Sequence, residues 1–251
     1  MNKIALITGA TSGIGKATAV KLAETGFDLI ITGRRSDRLH ALEEELQKKG
    51  VQVISLHFDV RNQMEVKQAI SSLPEAWKNI DVLVNNAGLA VGTNPIQDGL
   101  MEDWERMIDT NIKGLLYVTR EIAPLMIKNQ KGHIVNLASV AGKEVYPGGN
   151  VYCATKHAVD ALSKAMRTDM LKHNIKVTNI APGMVETEFS IVRYKGDEKA
   201  AQNVYNGMTP LTGEDIADTI VFAVTRPAHV CLNDIMIMPT AQANSRDVNR
   251  K

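Results

Sequence analysis

Hydrophobic positions along the chain fall into short dense runs, separated by longer stretches in which they recur every three or four residues. The runs at 4–7, 29–32, 53–57, 82–85, 133–137, 177–181 and 235–238 are mostly near-continuous Val, Ile and Leu. Runs of that length and composition suit strands buried on both faces. The stretches between them are amphipathic. In 36–49, Leu39, Leu42 and Leu46 repeat at helical spacing while Asp37, Glu43, Glu44 and Lys48 take other faces. Ser36 is the expected N-cap and Gly50 the stop. The stretches 103–128, 151–173 and 214–224 predict three more helices, the last capped by Thr212, and another helix follows the glycines at 9–15. This alternation predicts an α/β fold, a doubly wound parallel sheet of about seven strands with helices on both faces.

One segment breaks the rhythm. Between the strand ending near 181 and the helix at 214, residues 183–212 form a long insertion containing Tyr194-Lys195-Gly196-Asp197. Long irregular segments in compact domains are usually functional, and ligands in open α/β sheets sit beyond the carboxyl ends of strands. The insertion is therefore expected to be a substrate lid on a single domain covering 1–251. That length is ample for one α/β core.

Composition narrows the function by exclusion. A net charge of +1 predicts neither nucleic-acid nor acidic-membrane partners. Two cysteines, Cys153 and Cys231, make no disulfide framework, and no metal site is expected. The first apolar run is too short for a secretory segment, and no stretch nears the ~20 residues of a membrane helix. A cytoplasmic enzyme acting on a small molecule is the expectation.

The first strand runs into Thr8-Gly9-Ala10-Thr11-Ser12-Gly13-Ile14-Gly15 and then a helix. Glycines permit a tight turn and close approach of backbone N–H groups to an anion, and the helix N-terminus adds partial positive charge. Gly9, Ala10, Thr11, Ser12, Gly13 and Ile14 are thus expected to hold a dinucleotide pyrophosphate, as in a Rossmann-type fold. The second strand ends Gly33-Arg34-Arg35. An NAD site wants an acid here for the ribose 2′-hydroxyl, whereas two guanidiniums suit the 2′-phosphate of NADP. Asp59 and Val60, closing the third strand, are placed to meet adenine. Of Asn85 and Asn86, one is expected to stabilise its turn and Asn86 to face the cofactor.

Tyr152 and Lys156 stand at i, i+4, on one face of a helix. A tyrosine is a poor base at neutral pH. A cation ~5 Å away, at an effective dielectric of ~20, favours the phenolate by roughly 3 kcal/mol, or about 2 pKa units. The pair then becomes a proton-transfer device near neutral pH. Ser139, at the end of the fifth strand, offers a hydroxyl to a substrate oxygen. Asn111 lies within a helical stretch, a poor place for Asn unless it has a polar task or marks a kink. Cys153 and His157 are read as packing residues.

Together these residues resemble the short-chain dehydrogenase/reductase family over essentially the whole chain. The carriers are Thr8 to Gly15, Asn85 to Gly88, Asn111, Ser139 with Tyr152-Cys153-Ala154-Thr155-Lys156, and Pro182-Gly183-Met184-Val185-Glu186-Thr187. The resemblance implies that Tyr152 exchanges the proton and Ser139 positions the substrate oxygen. It implies that Lys156 holds the nicotinamide ribose and that Asn111 holds a water leading to solvent. Pro182, Gly183, Val185 and Thr187 would bind the carboxamide, and the assembly would be a homo-oligomer, commonly a tetramer.

Within the family, the stretches 80–90, 104–111, 148–152, 187–197 and 236–242 look most like the bacterial NADP-dependent 3-hydroxy acid dehydrogenases, a group that includes serine and L-allo-threonine dehydrogenases. A small 3-hydroxy acid needs a cation for its carboxylate, and Arg193 or Lys195 in the expected lid could supply it. Lys143, Tyr146 and Asn150 also fall near the expected substrate position. A 3-oxoacyl thioester reductase is the alternative chemistry, disfavoured by the neutral charge. A non-catalytic NADPH-binding regulator is disfavoured by the intact Tyr152, Lys156 and Ser139 set.

Overall fold

The computed structural model describes residues 2–251. In chain order the elements are β1 (Ile4–Ile7), α1 (Gly13–Glu24), β2 (Asp28–Gly33), α2 (Ser36–Gln47), β3 (Val53–His57), α3 (Gln63–Ser71), β4 (Ile80–Asn85) and α4 (Met101–Ile108). Then follow α5 (Leu115–Lys128), β5 (Gly132–Leu137), α6 (Asn150–Asp169), β6 (Ile175–Pro182), α7 (Phe189–Arg193), α8 (Glu198–Asn203), α9 (Gly213–Val224) and β7 (Asp234–Ile237). All seven strands pair in parallel in the order β3-β2-β1-β4-β5-β6-β7. The order reverses between β1 and β4, and such a reversal opens a crevice at the strands' carboxyl ends.

Strand residues alternate between two buried faces. Ile7, Leu29, Ile31 and Val84 pack with Leu22 of α1, Leu42 of α2 and Ile220 of α9. Leu6, Ile30, Leu83 and Val177 pack on the other side with Val66 of α3, Ile122 of α5 and Val159 of α6. That double burial is why the strands read as continuous apolar runs. One polar thread crosses the second layer. The Asn85 side-chain amide donates to Thr119 and Asn136, and the Asn136 amide donates to Ser163, tying β4 and β5 to α5 and α6. Buried amide networks of this kind resist displacement of the helices they join, although the Asn85 side-chain oxygen itself has no partner.

Three expectations change. The helix expected over 103–128 is broken by a π-helical segment, Asp109–Gly114, between α4 and α5. Such single-turn π segments are rare and often mark functional sites, and Asn111, the polar residue that pointed to a task or a kink, lies in this one. Arg35, not Ser36, is the N-cap of α2, and its side chain makes no capping bond. The insertion at 183–212 is not wholly irregular, since it carries α7 and α8. It ends at Thr212, whose capping box with Asp215 starts α9 as anticipated.

Candidate active site

The crevice at the switch point is a single cavity of about 660 Å³ running from Arg34 and Asp59 at one end to Tyr146 and Arg193 at the other. Along its wall it brings together Gly9, Thr11, Ser12, Gly13, Ile14, Arg35, Val60 and Asn86, then Ser139, Tyr152, Lys156, Pro182, Gly183, Val185 and Thr187. Ala10 does not reach it. That residue is fully buried, and its N–H is committed to the Thr32 carbonyl, 2.9 Å away. Asn111 also lies behind the wall, almost completely buried.

The glycine loop is held from beneath. Gly9 and Gly13 have φ of +67° and +52°, backbone that favours glycine. A side chain on Gly15 would run into the Gly9 carbonyl and the Asn86 amide. The Thr8 hydroxyl accepts the N–H groups of Asn86 and Ala87 and donates to Val84, and the Asn86 amide donates to the carbonyls of Thr8 and Gly9. Asn86 therefore lines the cavity but spends its amide on the loop. Ser12, at the N-cap of α1, makes no capping bond and the first turn has no acid, so the helix N-terminus faces the cavity open. Such an open end with glycine approach suits a pyrophosphate, and the residues present fit a dinucleotide.

At the β2 end the two arginines differ. Arg34 is half exposed, with Asp59 3.5 Å away. Arg35 donates to Thr11, Ser12 and Glu188, and Glu188 also takes Arg38. Burial would raise the Glu188 pKa, but the two guanidiniums hold it below the usual carboxylate range. Asp59 is chelated by Arg61, at 2.6 Å to Nη2. Its carboxylate is thus already engaged at the place where it was expected to meet adenine.

At the other end, Tyr152 stands in the first turn of α6, with Phe189 of α7 5.6 Å away between ring centroids. Lys156, one turn on, is buried with Nζ donating to the Leu137 carbonyl at 2.7 Å and lying 5.9 Å from the Tyr152 ring centre. The expected lowering of the tyrosine pKa is not seen in the chain alone. Burial pushes the phenol above its ordinary range, as does neighbouring Tyr146, while Ser139 and Arg193 oppose the rise only in part. Lys156 is not among the main influences on the phenol, and burial pulls its own pKa down to about 8. Desolvation penalises both charged forms at once, and the sequence arithmetic omitted it. Asn111, at the π segment, accepts the Leu89 N–H and donates to the Leu89 carbonyl and the Thr155 hydroxyl, locking it beside Lys156.

The lid contributes one cation to this end. Arg193 Nη1 donates to the Tyr146 hydroxyl at 2.9 Å, and the guanidinium sits 5.3 Å and 5.8 Å from the ring centres of Tyr146 and Tyr152. Its Nε is buried without a partner. Lys195 is not available, because it pairs with Asp103 at 2.8 Å. Lys143 is bound to Asp160 and Asp234, and Asn150 to the Asn94 carbonyl. Cys153 is buried and His157 bonds its carbonyl, in keeping with packing roles. Sequence reasoning missed Thr8, Glu188 and Gln242. Gln242, whose side-chain oxygen accepts the Met184 N–H at the cavity edge, gave no local signal. Among the described residues, no group of three or more His, Cys, Asp or Glu is placed to hold a metal, and no helix is long and apolar enough to cross a membrane.

Comparison with known proteins agrees with this geometry. The chain is 48% identical over 241 residues, 96% of each chain, to the NADP-dependent 3-hydroxy acid dehydrogenase YdfG of Salmonella typhi. It is 48% identical over 244 residues, 97% of this chain and 96% of the relative, to sulfoacetaldehyde reductase 2 of Chromohalobacter salexigens. Among solved structures, the closed form of a serine dehydrogenase complexed with NADP+ superposes with a TM-score of 0.92 at 44% identity, covering 99% of this chain and 100% of that one. The sequence pattern of the short chain dehydrogenases matches residues 3–197. The protein thus belongs to the short-chain dehydrogenase family.

Proposed function

We propose that the protein is an NADP-dependent oxidoreductase that interconverts a small 3-hydroxy acid and its 3-oxo form, with Tyr152 as the proton-transfer residue. The observation that carries this reading is the half-buried Arg193 guanidinium, its Nε buried without a partner, lying across the rings of Tyr146 and Tyr152. It offers a carboxylate a charge-assisted bond at the end of the cavity where Ser139 and Tyr152 converge. Serine, allo-threonine and 3-hydroxypropionate match that spacing of acid and hydroxyl. The relatives' names favour the same class. A sulfonate is the second reading, because a guanidinium binds it equally well and one relative is a sulfoacetaldehyde reductase.

In this reading the cofactor lies along the cavity. Gly9, Thr11, Ser12, Gly13, Ile14 and the α1 N-terminus hold its pyrophosphate. Arg34, with Arg35 beside it held by Thr11, Ser12 and Glu188, takes the 2′-phosphate, while Val60 packs against adenine. Pro182, Gly183, Val185 and Thr187 flank the nicotinamide, and Lys156 holds its ribose. Asn111 fixes the wall behind Lys156. When bound, the nicotinamide supplies hydride transfer and, oxidised, a positive charge beside the phenol. Ser139 donates to the substrate oxygen. In reduction, Tyr152, which burial keeps protonated, gives its proton to the oxygen as negative charge develops there. In oxidation the phenol must first lose that proton. The chain itself holds the pKa high, so the oxidative direction depends more steeply on pH. The reading includes one domain over 1–251, a lid at 183–212, a homotetrameric assembly and a cytoplasmic location.

The test is NADPH absorbance with serine, allo-threonine, 3-hydroxypropionate, 3-hydroxyisobutyrate, isethionate and an acetoacetyl thioester. Turnover of the hydroxy acids is expected, and it should fall by about 10³-fold in Tyr152→Phe while NADPH affinity stays unchanged. A Tyr152→Phe enzyme that folds, binds NADPH and turns over normally refutes the assignment. Preference for the thioester over every acid refutes the substrate class.

A further inference from the structure

The lid holds Arg193 in place through contacts outside the cavity. Its carbonyl accepts the Gly92 N–H at 3.0 Å, and two residues later Lys195 pairs with Asp103 at 2.8 Å. Gly92 belongs to the loop between β4 and α4, and Asp103 to the first turn of α4, at the end of that loop. Lys195 has a φ of +55°, a left-handed turn that closes α7 through the Lys195 and Gly196 N–H groups on the Val192 and Ile191 carbonyls, and the ion pair ties that turn to α4. Asp103 is nearly buried, which makes its single cationic partner matter more than a surface pair would. Gly92, at a φ of +74°, leaves the room its carboxylate occupies, since a Cβ there would stand 2.7 Å from Asp103 Oδ2.

The same segment is tied to the catalytic helix. Asn150, the first residue of α6, donates to the Asn94 carbonyl, and Gly148 packs against the Thr93 carbonyl. Tyr152 and Arg193 therefore share one anchor, although they lie on separate elements. Removing either link of the lid frees the Arg193 backbone while leaving the cofactor end untouched.

We propose that Asp103, acting through Lys195, is a positioning residue that sets affinity for the anionic group of the substrate by holding Arg193 between Tyr146 and Tyr152. The proposal rests on the reading of Arg193 as the carboxylate site. Asp103 touches neither substrate nor cofactor, and Lys195, once a candidate for binding substrate itself, serves to aim its neighbour.

The test measures full-length enzyme with NADP+ on 3-hydroxypropionate and on its uncharged methyl ester. Asp103→Asn should raise KM for the acid about tenfold, within the coupling energies seen between contacting residues. Its kcat should stay within about twofold and its NADPH affinity unchanged. Lys195→Arg should restore most of the affinity lost in Lys195→Met. In an Arg193→Ala background, Asp103→Asn should add nothing. Equal losses on acid and ester, an unchanged KM, or an undiminished further loss in the Arg193→Ala background would overturn the latch. Should Asp103→Asn not fold, Lys195→Met breaks the same pair from its exposed end and is read by the same criteria. If Arg193→Ala itself does not favour ester over acid, the carboxylate reading fails and the latch falls with it. If Arg193→Ala does and Asp103→Asn does not, the latch alone fails.

Discussion

The two ends of the cavity are built by different means. The glycine-loop end rests on β1 and β4, buried at every residue but Asp81, and its turn is pinned by bonds from Thr8 and Asn86. The lid end is fixed largely by ion pairs. Glu188 with Arg35 and Arg38, and Lys195 with Asp103, have cationic side chains 42–48% exposed. Exposed pairs such as those of Glu188 contribute about 0–1 kcal/mol each and the half-exposed Lys195–Asp103 pair somewhat more, whereas buried backbone contacts leave no room for compromise. Substitutions at the first end should act as all or none, and those at the second by degrees. A rigid cofactor floor with an adjustable cover lets one fold keep its chemistry while its substrate changes.

The strongest way to break that contrast is Gly15→Ala. The added methyl would meet the Gly9 carbonyl and the Asn86 amide, both held by other bonds, so the loop must shift away from the pyrophosphate. NADPH affinity should fall by at least about 100-fold, roughly 3 kcal/mol, measured by quenching or nucleotide fluorescence, with circular dichroism confirming the fold. An affinity within threefold of the parent would mean the floor yields as readily as the lid.

A smaller effect is expected at Arg34. Of the two arginines it is the one not engaged by Thr11, Ser12 and Glu188, so it should carry most of the discrimination for the 2′-phosphate. Arg34→Asp removes a charge-assisted contact and offers an acid to a ribose 2′-hydroxyl. The ratio of kcat/KM for NADP+ to that for NAD+ should drop by about 100-fold. An unchanged ratio would move the selectivity to Arg35 and Arg38, and with them to the lid.

The same contrast explains what could be read from the residues alone. The inner strands were legible because parallel strands buried twice leave continuous apolar runs, and the half-exposed edge strands β3 and β7 were legible by their apolar residues alone. Tyr152, Ser139 and the glycine loop were legible because each sits at a strand end or helix start that local pattern marks. The short lid helices were not, since five or six residues carry too few turns to show a period. Neither was the pairing of Lys195 with Asp103. Partners ninety residues apart leave no local trace, and Lys195 looked like a free cation. Lys156 was found, but its electrostatics were misjudged, because burial is a property of the fold rather than of an i, i+4 spacing.

That burial gives the finest test of the contrast. The floor's rigidity, extended along the cavity wall to Lys156 on α6, keeps that side chain out of water at a cost to stability. Its pKa of about 8 lies below the 10.5 of an unperturbed lysine, so the folded state disfavours the charge by about 3 kcal/mol. Below pH 8 both folded and unfolded chains carry the proton and the full penalty applies. Between pH 8 and 10.5 the folded chain has shed the proton while the unfolded chain keeps it, so this group's penalty lessens as pH rises. Lys156→Met removes the penalty but leaves the Leu137 carbonyl without its donor, a loss of about 1–3 kcal/mol. The net gain at pH 7 is about 1 kcal/mol, or roughly 2–4 °C in the Tm of the cofactor-free protein by calorimetry. At pH 10 the sign should reverse, leaving the variant about 1–2 kcal/mol less stable, because the parent no longer holds a buried charge but still donates to the Leu137 carbonyl. A variant no more stable than the parent at pH 7, or a difference that does not shrink with pH, would show that the wall around Lys156 relaxes to let water in, and that the floor is as adjustable as the lid.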